Sequence, residues 1–161
     1  MSTNPSLLIR IILVGLAVTL AACSSAPRRS PESERSIDRP GGERPSSPRV
    51  VEIALQHRGA PYRWGGEGPA DFDCSGFVRY VYAQVGVSLP HNAAMQYKLG
   101  TPVARGDLEP GDLVFFDRLR HNGIYIGDGR FIHARQTGKH VAIASLDDDW
   151  YRTHWVGARR L

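Results

Sequence analysis

The length, composition and charge of this chain exclude several classes of protein. With 161 residues, the chain has room for one modest domain and appendages, and not for several large cores. Its 20 basic and 16 acidic residues leave a formal net charge of +4, which is too small to predict binding to nucleic acid. We expect a monomer with no nucleic-acid partner.

The amino end has the organisation of an export signal. A short polar start with Arg10 precedes an apolar run over residues 11–20. This run is too short to span a membrane comfortably, but its length is typical of a signal-peptide core. The segment Leu20-Ala21-Ala22-Cys23 resembles the lipobox of bacterial lipoproteins. Residues 1–22 are therefore interpreted as a lipoprotein signal peptide, and an ordinary secretory signal is the alternative.

The lipobox resemblance implies a membrane anchor at Cys23. After signal cleavage this cysteine would be the first mature residue and would carry acyl chains, which attach a protein to a membrane without spanning it. Ser24, rather than an aspartate, follows it, so the resemblance favours the periplasmic face of the outer membrane over the inner membrane. Residues 23–48 are rich in Ser, Pro, Arg and Glu and are predicted to form a lipid-anchored disordered linker.

The remaining residues, 49–161, are enough for one compact α+β domain. Its first predicted helix is capped by Ser47-Pro48 and ends at Gly59. The buried face of this helix is expected to consist of Val51, Ala54 and Leu55.

The next predicted helix begins at a cysteine. Asp73 is a suitable N-cap residue, and apolar residues recur beyond it at helical spacing as far as Gly86, where a helix commonly ends. Cys74 would lie in the first turn, where unpaired amides and the positive end of the helix dipole favour thiolate over thiol. The alternative is a small buried residue in a helix, as most free cysteines are.

The cysteine count favours the reactive interpretation. The chain has 2 cysteines, and acylation of Cys23 would leave Cys74 as the only thiol. Disulfides are the norm in exported proteins, so a single unpaired thiol in such a protein is better explained by reactivity than by packing. Between this helix and the histidines, the sequence predicts a short helix over residues 93–97 and a strand over residues 112–116.

Residues 121–134 are predicted to form a β-hairpin with His121 on one strand and His133 on the other. A two-residue loop would pair Gly127 with Arg130. In that register the two histidines would point to opposite faces of the sheet, because side chains alternate along a strand.

A three-residue loop gives a different register. It would pair Ile126 with Arg130, and Gly129 would supply the left-handed conformation that such a bulged loop requires. His121 and His133 would then share one face as diagonal neighbours, about 7–8 Å apart at the backbone. We prefer this register because it places the isoleucines of the hairpin together on the other face.

The carboxyl end is predicted to add two strands, over residues 141–144 and 156–161, joined by a loop over residues 147–151. The three aspartates that begin this loop are interpreted as a solvated turn, because a calcium site would need interleaved oxygen ligands and a glycine. The chain has neither zinc-finger spacing nor a glycine-rich phosphate loop, and no metal or other cofactor is expected.

A helix-start cysteine followed by strand histidines is the arrangement of papain-like thiol hydrolases. Five motifs follow one another along the domain, namely Tyr62-Arg63-Trp64-Gly65-Gly66, Phe72-Asp73-Cys74-Ser75-Gly76-Phe77-Val78, Leu89-Pro90, Pro110-Gly111-Asp112-Leu113-Val114-Phe115-Phe116 and the segment from His121 to Ala134. In this order they resemble the motifs of the NlpC-type bacterial cell-wall peptidases over essentially the whole domain. The resemblance implies a papain-like α+β fold with helices packed on a central antiparallel β-sheet and the nucleophile at a helix N-terminus.

The resemblance also implies a role for each site residue. Cys74 matches the nucleophile, His121 the general base and His133 the third member, which orients the base. Tyr62 matches the tyrosine whose hydroxyl helps to hold the oxyanion, together with the backbone amide of Cys74.

The implied reaction is attack on a peptide carbonyl, formation of a thioester, and release by water. The implied substrate is the peptide stem or crosslink of peptidoglycan, in which bonds involving D-glutamate, diaminopimelate or D-alanine are the usual targets of the family. Asp73 and Ser75 lie beside the nucleophile in the same motif, and Ser75 is a candidate substrate contact.

Two positions depart from the family pattern. Asn122 stands where relatives often have valine, and we expect it to alter packing next to the base more than chemistry. His91 stands where many relatives have arginine, which leaves open whether a carboxylate is contacted there. His57, His140 and His154 match no catalytic position and are interpreted as surface or packing residues.

Three other functions are compatible with the same residues. Cys74, His121 and His133 are acceptable zinc ligands, but no fourth ligand is placed near them. A non-catalytic cell-wall-binding lipoprotein would be expected to have a broken triad, and here all three members are present. A related thiol amidase or acyltransferase acting on another substrate remains an alternative, because fold and triad do not determine the substrate.

Overall fold

The computed structural model describes residues 47–161, which form four α-helices, two short 3-10 helices and one six-stranded antiparallel sheet. The predicted signal peptide, Cys23 and nearly all of the predicted linker lie outside the described residues. None of the helices within residues 47–161 has the length and apolar character that crossing a membrane would require. The predicted α+β architecture, with helices on a central antiparallel sheet, is confirmed.

Helix α1 (Ser47–Gln56) begins two residues before the predicted domain boundary and is followed by Gly59, which has a φ of +92°. Its buried face was predicted only in part, because Ala54 is buried as expected and Val51 is half-buried. Val50 and Ile53 complete the buried face, whereas Leu55 is 40% exposed. Both sets of residues have the spacing of a helical stripe, and only packing against the rest of the domain selects one of them.

The remaining α-helices are α2 (Cys74–Ala83), α3 (Ala93–Gln96) and α4 (Asp149–Thr153). The loop prediction is wrong for residues 149–151, which begin α4. A helical turn here carries Tyr151 into contact with Phe116 and Phe131, so burial of aromatic surface outweighs the loop character of the aspartates.

The strands follow one another in the sheet in the order β1, β6, β2, β3, β4, β5, and every pair is antiparallel. The sequence predicted all of them except the short β1. Their bounds are β1 (Thr101–Val103), β2 (Leu113–Phe116), β3 (His121–Gly127), β4 (Arg130–Ala134), β5 (Val141–Ser145) and β6 (Trp155–Arg160).

The β3–β4 hairpin has the preferred register along its length, with Ile124 opposite Ile132 and Tyr125 opposite Phe131. Its loop differs from the prediction, because Gly127 rather than Ile126 pairs with Arg130. A register shift between Tyr125 and Gly127 accommodates the extra residue, so a two-residue loop is compatible with histidines on one face.

The sheet separates two hydrophobic clusters, as strand alternation requires. Helices α1 and α2 cover the first face, which includes Leu113, Phe115, Ile124 and Ile132. On the second face, the side chains that pack with Tyr151 of α4 include Val114, Phe116, Tyr125 and Phe131.

Candidate active site

The first turn of α2 is held by the carboxylate of Asp73. This residue has extended backbone geometry, and its carboxylate accepts hydrogen bonds from the amides of Gly76 at 2.7 Å and Gly65 at 3.0 Å. The predicted N-cap is therefore confirmed. Gly76 permits this turn to lie against the preceding loop, because a Cβ at this position would lie 2.0 Å from the carbonyl oxygen of Gly66.

Cys74 is the first residue of α2, and its thiol lies against the start of β3. The Sγ atom contacts the carbonyl oxygen of Arg120 at 3.7 Å. The backbone amides of Cys74, Ser75 and Asn122 are near enough to lower the pKa of the thiol. The thiol therefore sits beside the backbone on both sides of His121, although no hydrogen bond joins the Cys74 and His121 side chains among the described residues.

The surroundings of Cys74 do not favour the thiolate as the helix start alone predicts. Burial is the largest cause and the negative charge of Asp73 the next, and together they raise the pKa of the Cys74 thiol from 9.0 to about 11 against the effect of the amides. The three backbone amides favour the thiolate, as the helix N-terminus leads one to expect, but they do not compensate for lost hydration and the adjacent carboxylate. At neutral pH the group is a thiol.

His121 and His133 form a buried imidazole pair. Nε2 of His121 lies 2.7 Å from Nδ1 of His133, and the two rings meet edge to face. Burial lowers the pKa of His121 to about 4 and holds the pKa of His133 well below its usual value. Both imidazoles are therefore neutral at pH 7, and the hairpin brings together the two histidines that the sequence placed on one face.

The imidazole pair also contacts Tyr151, a residue for which the sequence predicted no role. Its hydroxyl lies 3.2 Å from Nε2 of His133, and its ring is buried against Phe131 and Phe116. Burial raises the pKa of Tyr151, while the positive charge of Arg135 acts in the opposite direction. An aromatic residue after an aspartate run carries no local signal for such a role, since 18 residues separate it from His133.

Tyr62 lies close enough to the thiol for the two groups to interact electrostatically. Burial raises the pKa of its phenol, and the charge of Cys74, once its thiol is ionised, and that of Asp73 raise it further. Its backbone is held by a hydrogen bond from its amide to the Lys139 carbonyl at 2.9 Å. The hydroxyl makes no hydrogen bond within residues 47–161, so it is available to a ligand.

Ser75 and His91 are both tied to Asp73. The Ser75 hydroxyl donates to the Asp73 carboxylate at 3.2 Å, which orients it away from free solvent. Nε2 of His91 lies 2.8 Å from the same carboxylate, and its Nδ1 lies 2.6 Å from the carboxylate of Glu67. His91 thus does contact carboxylates, and both belong to this chain.

A polar bridge that the sequence did not reveal connects the thiol region with the imidazole region. Gln96 of α3 is fully buried, and its Nε2 donates to the carbonyl oxygens of Ser75 at 3.0 Å and Pro90 at 2.8 Å. Its Oε1 accepts from Nδ2 of Asn122 at 2.6 Å. Because Ser75 follows Cys74 and Asn122 follows His121, the bridge links the chain neighbours of the two groups.

Asn122 takes part in this bridge with only one end of its amide. Its Oδ1 is buried and has no hydrogen-bond partner among the described residues. The orientation of the Asn122 amide follows from that of Gln96. The Gln96 NH₂ must face the two carbonyl oxygens, so its Oε1 faces Asn122 and requires the NH₂ of Asn122 as donor. The expectation that Asn122 affects packing was therefore incomplete, since it also carries a hydrogen bond.

Two cavities flank this arrangement. The thiol-side cavity has a volume of about 530 Å³ and is lined by Cys74, Ser75, His91 and Trp64 among others. Trp64 and Cys74 line the same cavity, and the Trp64 side chain is 83% exposed, so its ring is open to a ligand in that cavity. The imidazole-side cavity, of about 320 Å³, is lined by His121 and by none of the residues of the first cavity.

The three histidines without a catalytic match pack against aromatic rings or lie at the surface. His57 packs edge-on against Phe72 and Tyr80, His154 stacks on Trp150, and His140 is exposed, as expected for packing and surface residues. Within residues 47–161, no group of three or more histidine, cysteine or carboxylate side chains is arranged to hold a metal ion.

Comparison with known proteins identifies relatives of this domain. The model of the NlpC/P60 family matches residues 59–160. A protein of Mycobacterium tuberculosis named probable endopeptidase is 45% identical over 111 residues, which are 68% of this chain and 28% of that protein. The murein DD-endopeptidase MepH of Escherichia coli is 43% identical over 116 residues, which are 66% of this chain and 43% of that protein.

A solved structure agrees with these relatives. The NlpC/p60 domain of the peptidoglycan hydrolase SagA is 35% identical and has a TM-score of 0.65, and the similarity covers 71% of this chain and 98% of that domain. The chain spans less than half the length of the two relatives named above. The similarity therefore concerns the domain that contains Cys74, His121 and His133.

Proposed function

Because this chain belongs to the NlpC/P60 family, we propose that it is a peptidoglycan endopeptidase, a cysteine peptidase that cleaves the peptide stems or crosslinks of the cell wall. The observation that carries the proposal is the Cys74 thiol at the start of α2, set against the backbone on both sides of a buried imidazole pair. The solved relative SagA is a peptidoglycan hydrolase, and MepH is a murein DD-endopeptidase.

In this proposal His121 is the general base, and its neighbours determine which nitrogen acts. Nε2 of His121 is committed to His133, so Nδ1 is the nitrogen left for the thiol proton. If Nε2 of His121 carries its proton and donates to His133, then Nε2 of His133 carries a proton for the Tyr151 hydroxyl oxygen. This arrangement satisfies every contact of the pair and leaves a lone pair on Nδ1 of His121.

The resting state of the proposed enzyme is a neutral thiol and a neutral imidazole. As Sγ attacks the substrate carbonyl, the thiol proton moves to His121, and the thioester forms when this proton passes to the departing amine. His133 holds the imidazolium in place and shares its charge through the 2.7 Å contact. Water then attacks the thioester, with His121 again as base, and releases the acid.

Tyr62 and the amide of Cys74 are the proposed donors to the oxyanion. The Tyr62 hydroxyl is without a partner among the described residues and lies within electrostatic reach of the sulfur. Removal of one such donor typically lowers kcat by about 100-fold to 1,000-fold. Tyr62→Phe is expected to lower kcat by a factor of this order with little change in the melting temperature.

The function is tested by digestion of purified sacculi. The wild-type protein should release muropeptides, and Cys74→Ala should release none while it retains the wild-type melting temperature. Mass spectrometry of the products distinguishes stem cleavage from crosslink cleavage. Wall digestion by Cys74→Ala would refute the catalytic assignment, and binding of sacculi without digestion by the wild type would indicate a wall-binding lipoprotein.

We also propose that the protein acts as a monomer, anchored by acylated Cys23 to the periplasmic face of the outer membrane. The support is the Leu20-Ala21-Ala22-Cys23 sequence followed by Ser24. Metabolic labelling with palmitate should mark the wild-type protein and not Cys23→Ser, and the label should appear in the outer-membrane fraction. Labelling that survives Cys23→Ser would exclude this anchor.

A further inference from the structure

The imidazole-side cavity has no role in the reaction described so far. It is lined by His121, Arg135, Gln136, Asp148, Trp150 and Tyr151. Cys74 is not among these residues and lines the thiol-side cavity instead. The two reacting groups therefore open into different cavities, each large enough for part of a peptide.

The chemistry of the proposed reaction assigns a substrate fragment to each cavity. The acyl group becomes bonded to Sγ of Cys74, so it lies on the thiol side. The departing amine must receive its proton from His121, so the fragment that leaves as an amine lies on the imidazole side. The cavity lined by His121 is therefore placed to hold the amine fragment.

The charged residues of this cavity indicate what that fragment carries. Arg135 forms no ion pair with a carboxylate of residues 47–161. Its positive charge nevertheless acts on the site. Burial is the largest cause of the lowered pKa of His121 and of His133, and the charge of Arg135 lowers both pKa values further. The Arg135 side chain also lies near enough to the Tyr151 hydroxyl for a hydrogen bond, which leaves the other donors of the guanidinium for a carboxylate.

A second charge of opposite sign lines the same cavity. The Asp148 carboxylate accepts only a long contact, 3.4 Å, from the Ser145 amide, and it forms no ion pair with a basic side chain of residues 47–161. The exposed ring of Trp150, which is 46% accessible, forms a wall near His121. The cavity therefore has a positive group, Arg135, and a negative group, Asp148, beside the ring of Trp150. These charges are complementary to the carboxylate and the ammonium group of an amino acid centre.

We propose that the imidazole-side cavity binds the amine fragment of the substrate through a carboxylate that Arg135 holds, with Asp148 facing an ammonium group where the fragment carries one. This inference rests on the proposed function and deepens it by naming a specificity residue. Diaminopimelate has two amino acid centres. In stem cleavage its side-chain centre presents both a carboxylate and an ammonium group, whereas in crosslink cleavage both amines are acylated before the reaction and only the carboxylate for Arg135 remains.

A binding measurement tests the site without turnover. The full chain with Cys74→Ala is titrated with diaminopimelate and followed by NMR at the indole of Trp150. Adding Arg135→Gln should weaken binding by about tenfold or more, the usual effect of losing a charged hydrogen bond. Arg130→Gln is the matched control, because Arg130 pairs with Asp128 at an exposed turn. Equal binding with and without Arg135, or no saturable binding, would overturn the proposal.

An activity measurement separates this inference from the function itself. Wild-type protein is given muropeptides whose diaminopimelate carboxylate is either free or amidated. The free form should be cleaved with a kcat/KM about tenfold higher or more, and Arg135→Gln should abolish this preference by slowing cleavage of the free form. A preference that survives Arg135→Gln would refute the site while the endopeptidase proposal stands. Failure of the wild type to cleave either substrate would refute the endopeptidase, and the NMR titration would still decide on the cavity.

Discussion

Gln96 provides a direct test of whether the buried polar bridge organises the site. Its side chain is fully buried and makes three hydrogen bonds, to the carbonyls of Ser75 and Pro90 and from the amide of Asn122. Gln96→Ala would remove all three. The carbonyl of Ser75 still has its place in α2, but the carbonyl of Pro90 and the Asn122 amide would be left without a partner.

The expected cost can be worked out from these two groups. A buried polar group that loses its partner costs about 1–3 kcal/mol, and the Pro90 carbonyl costs toward the lower end because it is only partly buried. The free energy of unfolding should therefore fall by about 2–4 kcal/mol. For a domain of about 100 residues, 1 kcal/mol shifts the melting temperature by about 4–8 °C. We therefore expect Gln96→Ala to lower the melting temperature by about 8 °C or more.

The assay is thermal unfolding followed by circular dichroism, with kcat and KM measured on muropeptides below the transition. The control is Gln56→Ala, since Gln56 is exposed at the last position of α1. kcat should fall more than KM rises, because the bridge orients the neighbours of Cys74 and His121 rather than the substrate. A shift in melting temperature no larger than that of Gln56→Ala would refute the reasoning.

Asn122→Val provides the comparison at the other end of the bridge. It removes the donor to Gln96, but it also removes Oδ1, which is buried and has no partner among the described residues. These two effects oppose each other, so the change in the free energy of unfolding should be within about 1 kcal/mol. A loss as large as that of Gln96→Ala would mean that Oδ1 is satisfied in solution.

Three further predictions concern ionisation and the imidazole pair. Burial lowers the pKa of His121 to about 4, so below pH 6.5 the unfolded chain binds more protons than the folded domain. The free energy of unfolding should therefore fall by roughly 3 kcal/mol from this group as the pH falls from about 6.5 to 4, and the melting temperature should fall with it. A melting temperature that does not change over this range would contradict the burial of His121. Cys74 should react with iodoacetamide at pH 7 more slowly than free cysteine, because its thiol pKa is raised. Asp73→Asn should speed the reaction, because it removes a charge that raises this pKa. A wild-type rate above that of free cysteine would show that the thiolate is the resting form. His121→Ala should reduce kcat more than His133→Ala, since His133 acts on the thiol only through His121, and the reverse order would exchange their roles.

Local features of the fold were predictable because they depend on neighbouring residues. Asp73 before an apolar stripe predicts a capped helix, and the structure has one that begins at Cys74. The isoleucines of the hairpin select a register, and that register places His121 and His133 within 2.7 Å of each other at their ring nitrogens. In both cases a period of 3.6 or 2 residues determines which side chains meet.

The features that were missed depend on contacts between distant segments. Tyr151 reaches His133, and Gln96 joins Ser75 to Asn122, across separations that no local pattern encodes. The two stripes of α1 were equivalent in sequence, and packing chose Val50 and Ile53 over Leu55.

The sequence by itself determined a cysteine at a helix start and two histidines on one face of a hairpin, because helix capping and strand alternation are local effects. Only the tertiary structure decided how deeply these groups are buried and which cavities lie beside them. Burial raises the pKa of the Cys74 thiol and lowers the pKa of His121, and desolvation depends on every segment packed around a side chain rather than on its neighbours in the chain.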